Sequence, residues 1–277
     1  MVFDTFMFFN ESLLTKVRLY EHAPFVDKFI IIEARQTHSG NPKPQNFRLE
    51  DYPEFAHKIE YRLVDLLDLK LRYPKLIFKS GNLETNYLHW SNEYIQRNYA
   101  SVILQELGAQ DSDLLLCSDT DEIISYEAFL KCVAALNEGK QCPKTGLPIV
   151  GPEQSIRKYK INLLTHHRGK SINILPCSIA KTINLSLIRE YSLGFIVMEG
   201  GWHFSYLSAT NDNVLLKMKS FSHAYQHQDV QTADVATSLI LEGVIKVLPI
   251  DGNYPKYILT HLDEFTNYIW PENQPWR

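Results

Sequence analysis

The strongest constraint on the fold is a run of three isoleucines, Ile30 to Ile32, inside the strand-like segment of residues 26–33. A strand that is apolar on both faces is typical of a parallel sheet covered by helices on both sides. Residues 3–9 and 113–118 are also apolar and strand-like, and helical stretches lie between the three segments. This alternation predicts an α/β fold in which right-handed crossovers connect a mixed, mostly parallel sheet flanked by helices.

The remaining elements follow from hydrophobic periodicity and from turn residues. Helices are predicted over residues 13–22, 82–107 and 232–244, and Asn82 is the predicted N-cap of the second. Further strands are predicted at residues 59–64, 159–164, 172–175 and 203–207, with loops at 39–44 and 139–153. Glu93 and Arg97 lie four residues apart on one helix face, a spacing that allows an ion pair.

The composition argues against several classes of protein. Lys and Arg number 28 and Asp and Glu number 32, so the basic excess of a nonspecific nucleic-acid binder is absent. No stretch reaches the roughly 18 apolar residues of a membrane helix, and the first ten residues lack the basic region of a signal peptide. The four cysteines form no CxxC pair, which favours free thiols in a reducing compartment. We therefore expect a cytoplasmic protein without a transmembrane segment or a nucleic-acid partner.

The sharpest chemical feature is the DxD segment Asp119-Thr120-Asp121-Glu122, which follows the strand at residues 113–118. Ligands of open α/β sheets bind outside the carboxyl ends of the strands. Two carboxylates one residue apart can approach the same divalent cation, and Mg²⁺ and Mn²⁺ prefer oxygen ligands. The alternative is a solvated acidic loop. The apolar strand in front of it favours a metal-pyrophosphate site.

Two clusters in the second half could carry further chemistry. In residues 199–206, Glu199 is a candidate general base, and the faces of Trp202 and Tyr206 suit sugar rings. The adjacent Gly200 and Gly201 would allow a close approach to a ligand. A glycine bend that leads into a buried aromatic strand is an equal alternative. In residues 217–223, Lys217 could neutralise a phosphate and His223 could bind a metal, although a lone histidine is more often structural or solvated.

Together these motifs resemble glycosyltransferase family 17, whose members include β-1,4-mannosyl-glycoprotein 4-β-N-acetylglucosaminyltransferase. The resemblance covers nearly the whole chain and depends on the order and spacing of short motifs. They are found at residues 4–11, 26–34, 37–44, 118–123, 201–206, 217–223 and 255–259. Two positions depart from the family pattern: Ile124 stands where proline is frequent, and Asn41 stands where lysine is common.

The resemblance implies one GT-A-like domain over residues 1–277. Residues 1–125 would bind the nucleotide sugar, and residues 150–277 would form the acceptor and catalytic half. It also implies a UDP-sugar donor, N-acetylglucosamine by family preference, and a glycan or glycoconjugate acceptor. Transfer would invert the anomeric carbon with Mn²⁺ or Mg²⁺ bound.

Each candidate residue receives a role from the resemblance and from its chemistry. The donor-binding set is Asn10, Glu11, Glu33, Arg97, Asp119 and Lys217. The acceptor-binding set is Trp202, His203 and Tyr206. The metal ligands are Asp119, Asp121 and His223. Glu199 is the first choice for the base, with Asp229 and Asp234 in reserve. Arg97 could point either to Asp119 and the phosphates or to Glu93.

Two functions of other classes remain open from the sequence. The segment 114–121 also resembles the nucleophile motif of haloacid-dehalogenase-like phosphatases, in which Asp119 would be phosphorylated and Asp121 would act as acid and base. That motif normally lies near the N-terminus and continues with Thr or Val, where this chain has Ile123. A glycan-binding module with a decayed site is the non-enzymatic alternative, and the intact carboxylate pair argues against it.

Overall fold

The computed structural model describes residues 1–77, 87–190, 195–197 and 200–271. In these residues the chain forms two β-sheets with helices around them. The strands are β1 Val2–Phe8, β2 Lys28–Ala34, β3 Ile59–Val64, β4 Leu114–Cys117, β5 Glu122–Ile124, β6 Val150–Pro152, β7 Gln154–Lys158, β8 Leu163–Gly169, β9 Asn173–Pro176, β10 Phe195–Val197, β11 Gly201–Ser205 and β12 Val244–Val247. The helices are α1 Ser12–His22, α2 Leu66–Arg72, α3 Tyr87–Asn98, α4 Ala100–Glu106, α5 Tyr126–Asn137, α6 Cys177–Ala180, α7 Leu185–Glu190, α8 Asn211–Ser220, α9 Ala233–Leu241 and α10 Lys256–Thr260.

The larger sheet has seven strands in the order β10-β6-β9-β4-β1-β2-β3. The pairings β4–β1, β1–β2, β2–β3 and β6–β10 are parallel, and only β9 runs antiparallel to its neighbours β4 and β6. The carboxyl ends of β1, β2, β3 and β4 therefore meet at one edge. The predicted fold class, α/β with a mixed and mostly parallel sheet, is confirmed.

The second strand is covered on both faces, as its isoleucine run predicts. Ile30 and Ile32 pack in one apolar cluster with α3 and α4, whereas Ile31 packs in another with Leu19 of α1. Because side chains alternate along a strand, these two clusters lie on opposite faces of the sheet. The sheet thus forms the middle layer of three.

The smaller sheet has the order β12-β8-β7-β11-β5 and is mostly antiparallel. Its strand β5 begins at Glu122, immediately after the DxD turn, and pairs with β11 so that His203 lies opposite Glu122. The second sheet thus brings the residues 201–206 next to the acidic turn. The larger sheet takes strands from both halves of the chain.

The long helix predicted over residues 82–107 is instead two helices, α3 and α4, separated at Tyr99. The Ser101 hydroxyl donates to the carbonyl oxygen of Asn98 at 2.8 Å, and the Val102 amide donates to Tyr99 instead of Asn98. Such side-chain donation to the backbone competes with the helical ladder. The predicted cap, Asn82, lies outside the described residues.

The strand predicted at residues 159–164 is wrong, because a turn between β7 and β8 occupies its first half. Tyr159 has a φ of +67°, in the left-handed region. The next side chain, Lys160, donates from Nζ to the carbonyl oxygens of Ser208, Ala209 and Asn267 at 2.8, 3.3 and 2.8 Å. These long-range contacts hold the turn, and residue periodicity does not report them. The loop predicted over residues 139–153 ends earlier, at β6.

All four cysteines are buried free thiols. Among the described helices, none combines the length and the apolarity needed to cross a bilayer.

Candidate active site

A cavity of about 660 Å³ opens at the edge of the larger sheet where β1, β2 and β4 end. Glu11 after β1, Gln36 after β2, and Asp119 and Asp121 after β4 line it. Helices α3, α7 and α8 complete the wall. Small-molecule sites typically have volumes of roughly 300–1,000 Å³ and occupy this place in open α/β sheets. The cavity therefore lies where the sequence predicts ligand binding.

The DxD turn is held by hydrogen bonds from its own residues. The Thr120 hydroxyl donates to the carbonyl oxygen of Met7 at 2.6 Å, which ties the turn to β1. The amide of Asp119 donates to the Glu122 carboxylate at 2.9 Å. Glu122 is fully buried. Thr120 and Glu122 thus hold the turn in place, while the Asp119 and Asp121 side chains lie on the cavity wall.

A fully buried arginine supports the turn from α1. Arg18 donates from Nη1 to the carbonyl oxygens of Asp119 and Glu122 at 2.7 and 2.8 Å, and from Nη2 to the Ser118 hydroxyl at 2.8 Å. Its Nε and Nη2 also bind both carboxylate oxygens of Asp4. All five N–H groups of the guanidinium are therefore used, so the position of the turn is coupled to β1 and α1.

The Asp119 carboxylate lies between two arginines. Arg97 Nη2 donates to Oδ1 at 2.8 Å and Arg189 Nη2 donates to Oδ2 at 2.5 Å. Burial alone would raise the pKa of Asp119, but the charges of Arg189 and Arg97 hold it well below its usual value. Arg97 also donates to Glu93 at 2.8 Å. Both interactions that the sequence left open for Arg97 are therefore formed together.

The Asp121 carboxylate is paired with a lysine. Lys217 Nζ donates to Oδ2 at 3.0 Å, and His203 Nε2 lies 3.7 Å from Oδ1, too far for a hydrogen bond. Burial would raise the pKa of Asp121, but Lys217 and His203 lower it. Asp121 is therefore ionised at neutral pH.

The charges on the cavity wall balance, and two of the cations are paired with the buried Glu33 and Glu122, which do not line the cavity. Among the described residues, the lining includes four carboxylates, Glu11, Glu93, Asp119 and Asp121, and four cations, Lys43, Arg97, Arg189 and Lys217. Each of these cations is within ion-pair distance of at least one carboxylate. An anionic ligand would therefore have to take a cation away from its present partner or enter together with another cation.

Another part of the cavity is aromatic. The Phe9 and Phe221 rings meet edge to face at 5.5 Å, and Trp90 meets the His223 ring at 4.8 Å. Planar ligand groups such as a nucleobase or a sugar face pack well on such rings. The cavity thus combines charged groups with apolar ring surfaces.

Comparison with known proteins assigns the chain. The family model of glycosyltransferase family 17 matches residues 1–143, which include the acidic turn and the strands β1 to β5. This chain belongs to glycosyltransferase family 17. It is accordingly a glycosyltransferase. The search of curated protein sequences found no match.

Several solved structures are similar to the enzyme at low identity. S. aureus TarS (residues 1–349) is 9% identical with a TM-score of 0.37, over 87% of this chain and 70% of that one. The glucosyl-3-phosphoglycerate synthase of Mycobacterium tuberculosis, crystallised with Mn²⁺, UDP and phosphoglyceric acid, is 12% identical with a TM-score of 0.33, over 72% and 67%. The galactosyltransferase LgtC, crystallised with donor and acceptor sugar analogues, is 9% identical with a TM-score of 0.35, over 90% and 97%. Identities this low carry no information about substrates.

Most of the predicted donor residues lie at the cavity. Glu11, Arg97, Asp119 and Lys217 line it, and Asn10 lines a smaller cavity of about 90 Å³ that shares Glu11 and Lys217 with the first. Residues separated by 206 positions, such as Glu11 and Lys217, are thus neighbours at 3.4 Å in the fold.

Glu33 is the exception in the donor set, and the structure corrects its placement. It is fully buried and lies outside the cavity wall. Its carboxylate accepts from the amides of Asn46 and Phe47 at 2.8 and 3.0 Å, from the Tyr61 hydroxyl at 2.8 Å and from Lys43. Its oxygens are therefore committed to holding the segment after the loop at residues 39–44.

Two of the acceptor residues, Trp202 and His203, lie on opposite faces of β11, and the third, Tyr206, follows the end of the strand. His203 and Tyr206 line the cavity, whereas Trp202 does not. Because neighbouring side chains of a strand point to opposite faces, Trp202 packs in the apolar cluster with Tyr254 and Phe265. Its indole N–H donates to the carbonyl oxygen of Asn253 at 2.7 Å. Trp202 therefore cannot face the same ligand as His203.

The glycine pair lies against the protein and not against the cavity. A Cβ on Gly201, whose φ is +144°, would lie 2.2 Å from the carbonyl oxygen of Ile123. A Cβ on Gly200 would lie 2.4 Å from Cβ of Pro152. The close approach is thus between strands, which agrees with the bend interpretation and not with ligand contact.

Of the three base candidates, the two that the structure describes do not line the cavity. Glu199, the first choice, lies outside the described residues. Asp229 and Asp234 are exposed and do not line the cavity. Asp234 accepts a hydrogen bond from Asn211 at 2.8 Å on the surface.

Arg189 is the main site residue that the sequence analysis missed. It carries no motif, sits on a six-residue helix, and is separated from Asp119 by 70 positions. Its second Nη group donates to Glu122 at 2.5 Å, so it binds two of the three acidic side chains of the turn. Arg18 was missed for the same reason, because its contacts with the turn span 101 and 104 positions of the chain.

The aspartates fit a divalent cation of the magnesium type. In the described part of the chain, no three His, Cys, Asp or Glu side chains are grouped to hold an ion. His223 packs against Trp90 and forms no such group with Asp119 and Asp121. Mg²⁺ is usually held by one or two carboxylates together with substrate phosphates. Asp121 matches that mode directly, because Lys217 binds it at Oδ2. Asp119 would reach the ion through water, because Arg97 and Arg189 engage both of its oxygens.

Proposed function

We propose that the enzyme transfers N-acetylglucosamine from a UDP-sugar to a hydroxyl group of a glycan, with inversion at the anomeric carbon and with Mn²⁺ or Mg²⁺ bound. The observation that carries this proposal is the balanced cavity after β1, β2 and β4, with Asp119 and Asp121 on its wall. Family membership supplies the reaction class. The donor sugar and the inversion come from the family resemblance.

The charge balance supports a requirement for a divalent cation. Four carboxylates and four cations line the described wall, and the cations are already paired. A nucleotide sugar brings two negative phosphate charges to a wall whose four cations already have carboxylate partners. One divalent cation that enters with it would offset those two charges. When bound, such an ion stabilises the charge on the departing nucleoside diphosphate.

The reaction is a direct displacement in which the acceptor hydroxyl oxygen bonds to the anomeric carbon. The bond from that carbon to the diphosphate oxygen breaks, and its electron pair leaves with UDP. The sugar passes through an oxocarbenium-like state. The hydroxyl proton goes to a carboxylate of the protein, for which Glu199 remains our first choice. Lys217, which lines the cavity, would bind the charged diphosphate.

Two observations favour this function over a haloacid-dehalogenase-like phosphatase. The chain belongs to a glycosyltransferase family. In addition, both carboxylate oxygens of Asp119 are engaged by Arg97 and Arg189, whereas the phosphatase would need one of them as a nucleophile.

The test is a donor screen with manganese. The full chain is incubated with a panel of UDP, GDP and CMP sugars and an oligosaccharide mixture, and released nucleoside diphosphate is measured. We expect UDP release from UDP-N-acetylglucosamine, and Asp121→Asn should lower turnover by at least about 10²-fold because the metal's charge stabilisation is lost. The matched control is Asp111→Asn, an exposed aspartate far from the cavity.

The same screen contains the results that would contradict the proposal. Full turnover in metal-free buffer would refute the requirement for a divalent cation. A preference for GDP or CMP sugars would refute the assignment of a UDP-sugar donor. Hydrolysis of a generic aryl phosphate would favour the phosphatase. Silence in every assay would favour a glycan-binding protein.

A further inference from the structure

Lys217 differs from the other cations of the cavity in what holds it. Its Nζ lies 3.0 Å from Asp121 Oδ2 and 3.4 Å from Glu11 Oε1. The rings of Tyr206 and Phe221 lie 5.7 and 5.3 Å from Nζ. The ammonium therefore lies over ring faces and between two carboxylates, one of which is a proposed metal ligand.

The other three described cations of the cavity are held more rigidly. Arg97 and Arg189 each bridge Asp119 and a second carboxylate through separate N–H groups. Lys43 is bound to Glu33 and to the carbonyl oxygen of Pro44. A planar guanidinium bound at two points loses its interactions if it moves, whereas a lysine ammonium on a four-carbon stem can exchange oxygen partners. Lys217 is thus the cation best able to change partners.

Lys217 is charged in this arrangement. Burial alone would lower its pKa, but the carboxylates of Asp121 and Glu11 raise it above the usual value of lysine. A positive charge 3.0 Å from Asp121 Oδ2 repels a divalent cation at the same carboxylate. A diphosphate, in contrast, offers the ammonium new anionic oxygens.

We propose that Lys217 is a resident counter-cation that occupies Asp121 in the ligand-free enzyme and moves to the donor diphosphate, so that divalent cation and nucleotide bind cooperatively. The inference rests on the proposed function, because it assumes a divalent cation at Asp121. Linkage requires that nucleotide raises cation affinity by the same factor as cation raises nucleotide affinity. Part of that factor comes from direct contact between cation and phosphate. Lys217 contributes the rest of the coupling factor, because it occupies Asp121 when no nucleotide is bound.

The test measures Mn²⁺ binding without any turnover. Free Mn²⁺ is counted by its paramagnetic resonance signal during titration of the full chain, without nucleotide and then with saturating UDP. A protein-free titration corrects for Mn²⁺ bound by UDP itself. In Lys217→Met we expect nucleotide-free Mn²⁺ to bind at least about 10-fold tighter than in the unsubstituted enzyme, within the usual range of coupling factors. The gain in Mn²⁺ affinity caused by UDP should shrink by about the same factor.

Two variants separate this role from a structural one. Lys219→Met removes a lysine of the same helix whose Nζ donates to the carbonyl oxygens of His227 and Gln228 outside the cavity. Lys217→Arg retains the charge. Both should bind nucleotide-free Mn²⁺ within about 2-fold of the unsubstituted enzyme. If Lys217→Met is less stable, the rise of its melting temperature with Mn²⁺ still reports the tighter binding by mass action.

The outcomes distinguish this inference from the proposed function. Unchanged or weaker nucleotide-free Mn²⁺ binding in Lys217→Met would overturn the counter-cation role, while UDP release in the donor screen would leave the function standing. Absence of Mn²⁺ binding with and without UDP would overturn the inference together with the metal requirement. Tighter binding confined to Lys217→Met supports it.

Discussion

Replacing Arg18 by methionine should be among the most destabilising single changes in the protein. Arg18 and Asp4 are fully buried and form an ion pair through two hydrogen bonds. In Arg18→Met the Asp4 carboxylate would remain buried, and the His22 ring, at 2.7 Å, would be its one remaining donor among the described residues. Removing one partner of a buried pair typically costs about 3–5 kcal/mol of unfolding free energy.

The other groups that Arg18 binds contribute little to that figure. The carbonyl oxygen of Asp119 also accepts from the Glu122 amide at 3.0 Å, and that of Glu122 also accepts from the Ser118 hydroxyl at 3.4 Å. Neither carbonyl is left without a donor, so the uncompensated Asp4 charge sets the magnitude. Because domains are stable by about 5–15 kcal/mol, the loss of 3–5 kcal/mol is a large share of the total.

The assay is urea unfolding at pH 8, where protonation of His22 does not compensate the lost charge. The control is Arg48→Met, an exposed arginine paired with Glu50, which should change the unfolding free energy by less than about 1 kcal/mol. The double variant Asp4→Asn/Arg18→Met should be more stable than Arg18→Met alone, because no charge is left buried. If Arg18→Met costs as little as Arg48→Met, or if Asp4→Asn brings no recovery, the reasoning about the buried charge is wrong.

Three further predictions concern pH, Glu33 and the base. Burial lowers the pKa of His22 although Asp4 opposes it, so below about pH 6.5 the unfolded chain binds more protons than the folded one. The unfolding free energy should therefore fall from pH 7 to pH 5, by up to about 1.4 kcal/mol per pH unit from this group. In His22→Gln, urea unfolding should show a weaker dependence of the unfolding free energy on pH. Glu33→Gln weakens a buried charged network and should lower the unfolding free energy by about 1.5–3 kcal/mol. Calorimetry should show weaker UDP binding, because Lys43 on the cavity wall loses the carboxylate that holds it. An unchanged unfolding free energy would contradict the structural role assigned to Glu33. Glu199→Gln should leave UDP-sugar binding intact and slow transfer by roughly 10²–10⁴-fold; an unchanged transfer rate with a lower melting temperature would instead make Glu199 a structural residue.

The sequence by itself determined the elements whose signals are local. The double-sided burial of β2, the strand before the acidic turn, and the alternation of strands and helices follow from residue patterns of a few positions. Parallel strands bring their carboxyl ends to one edge, so the sequence could also place Asp119, Asp121 and Glu11 near one another. The spacing of Glu93 and Arg97 on a helix allowed an ion pair between them, which the structure contains.

Only the tertiary structure decided which groups these carboxylates face. Arg189, Arg18 and Lys217 reach the acidic turn from helices that are distant in the chain, and no local pattern encodes such contacts. The alternation of β11 buries Trp202 and leaves His203 at the cavity, a choice that depends on which face of the strand meets the core. Glu33 ends the strand that the sequence predicts, but a loop of the chain closes over its carboxylate and removes it from the cavity. These outcomes depend on packing and on the pairing of buried charges, which are settled only when all layers of the fold are assembled.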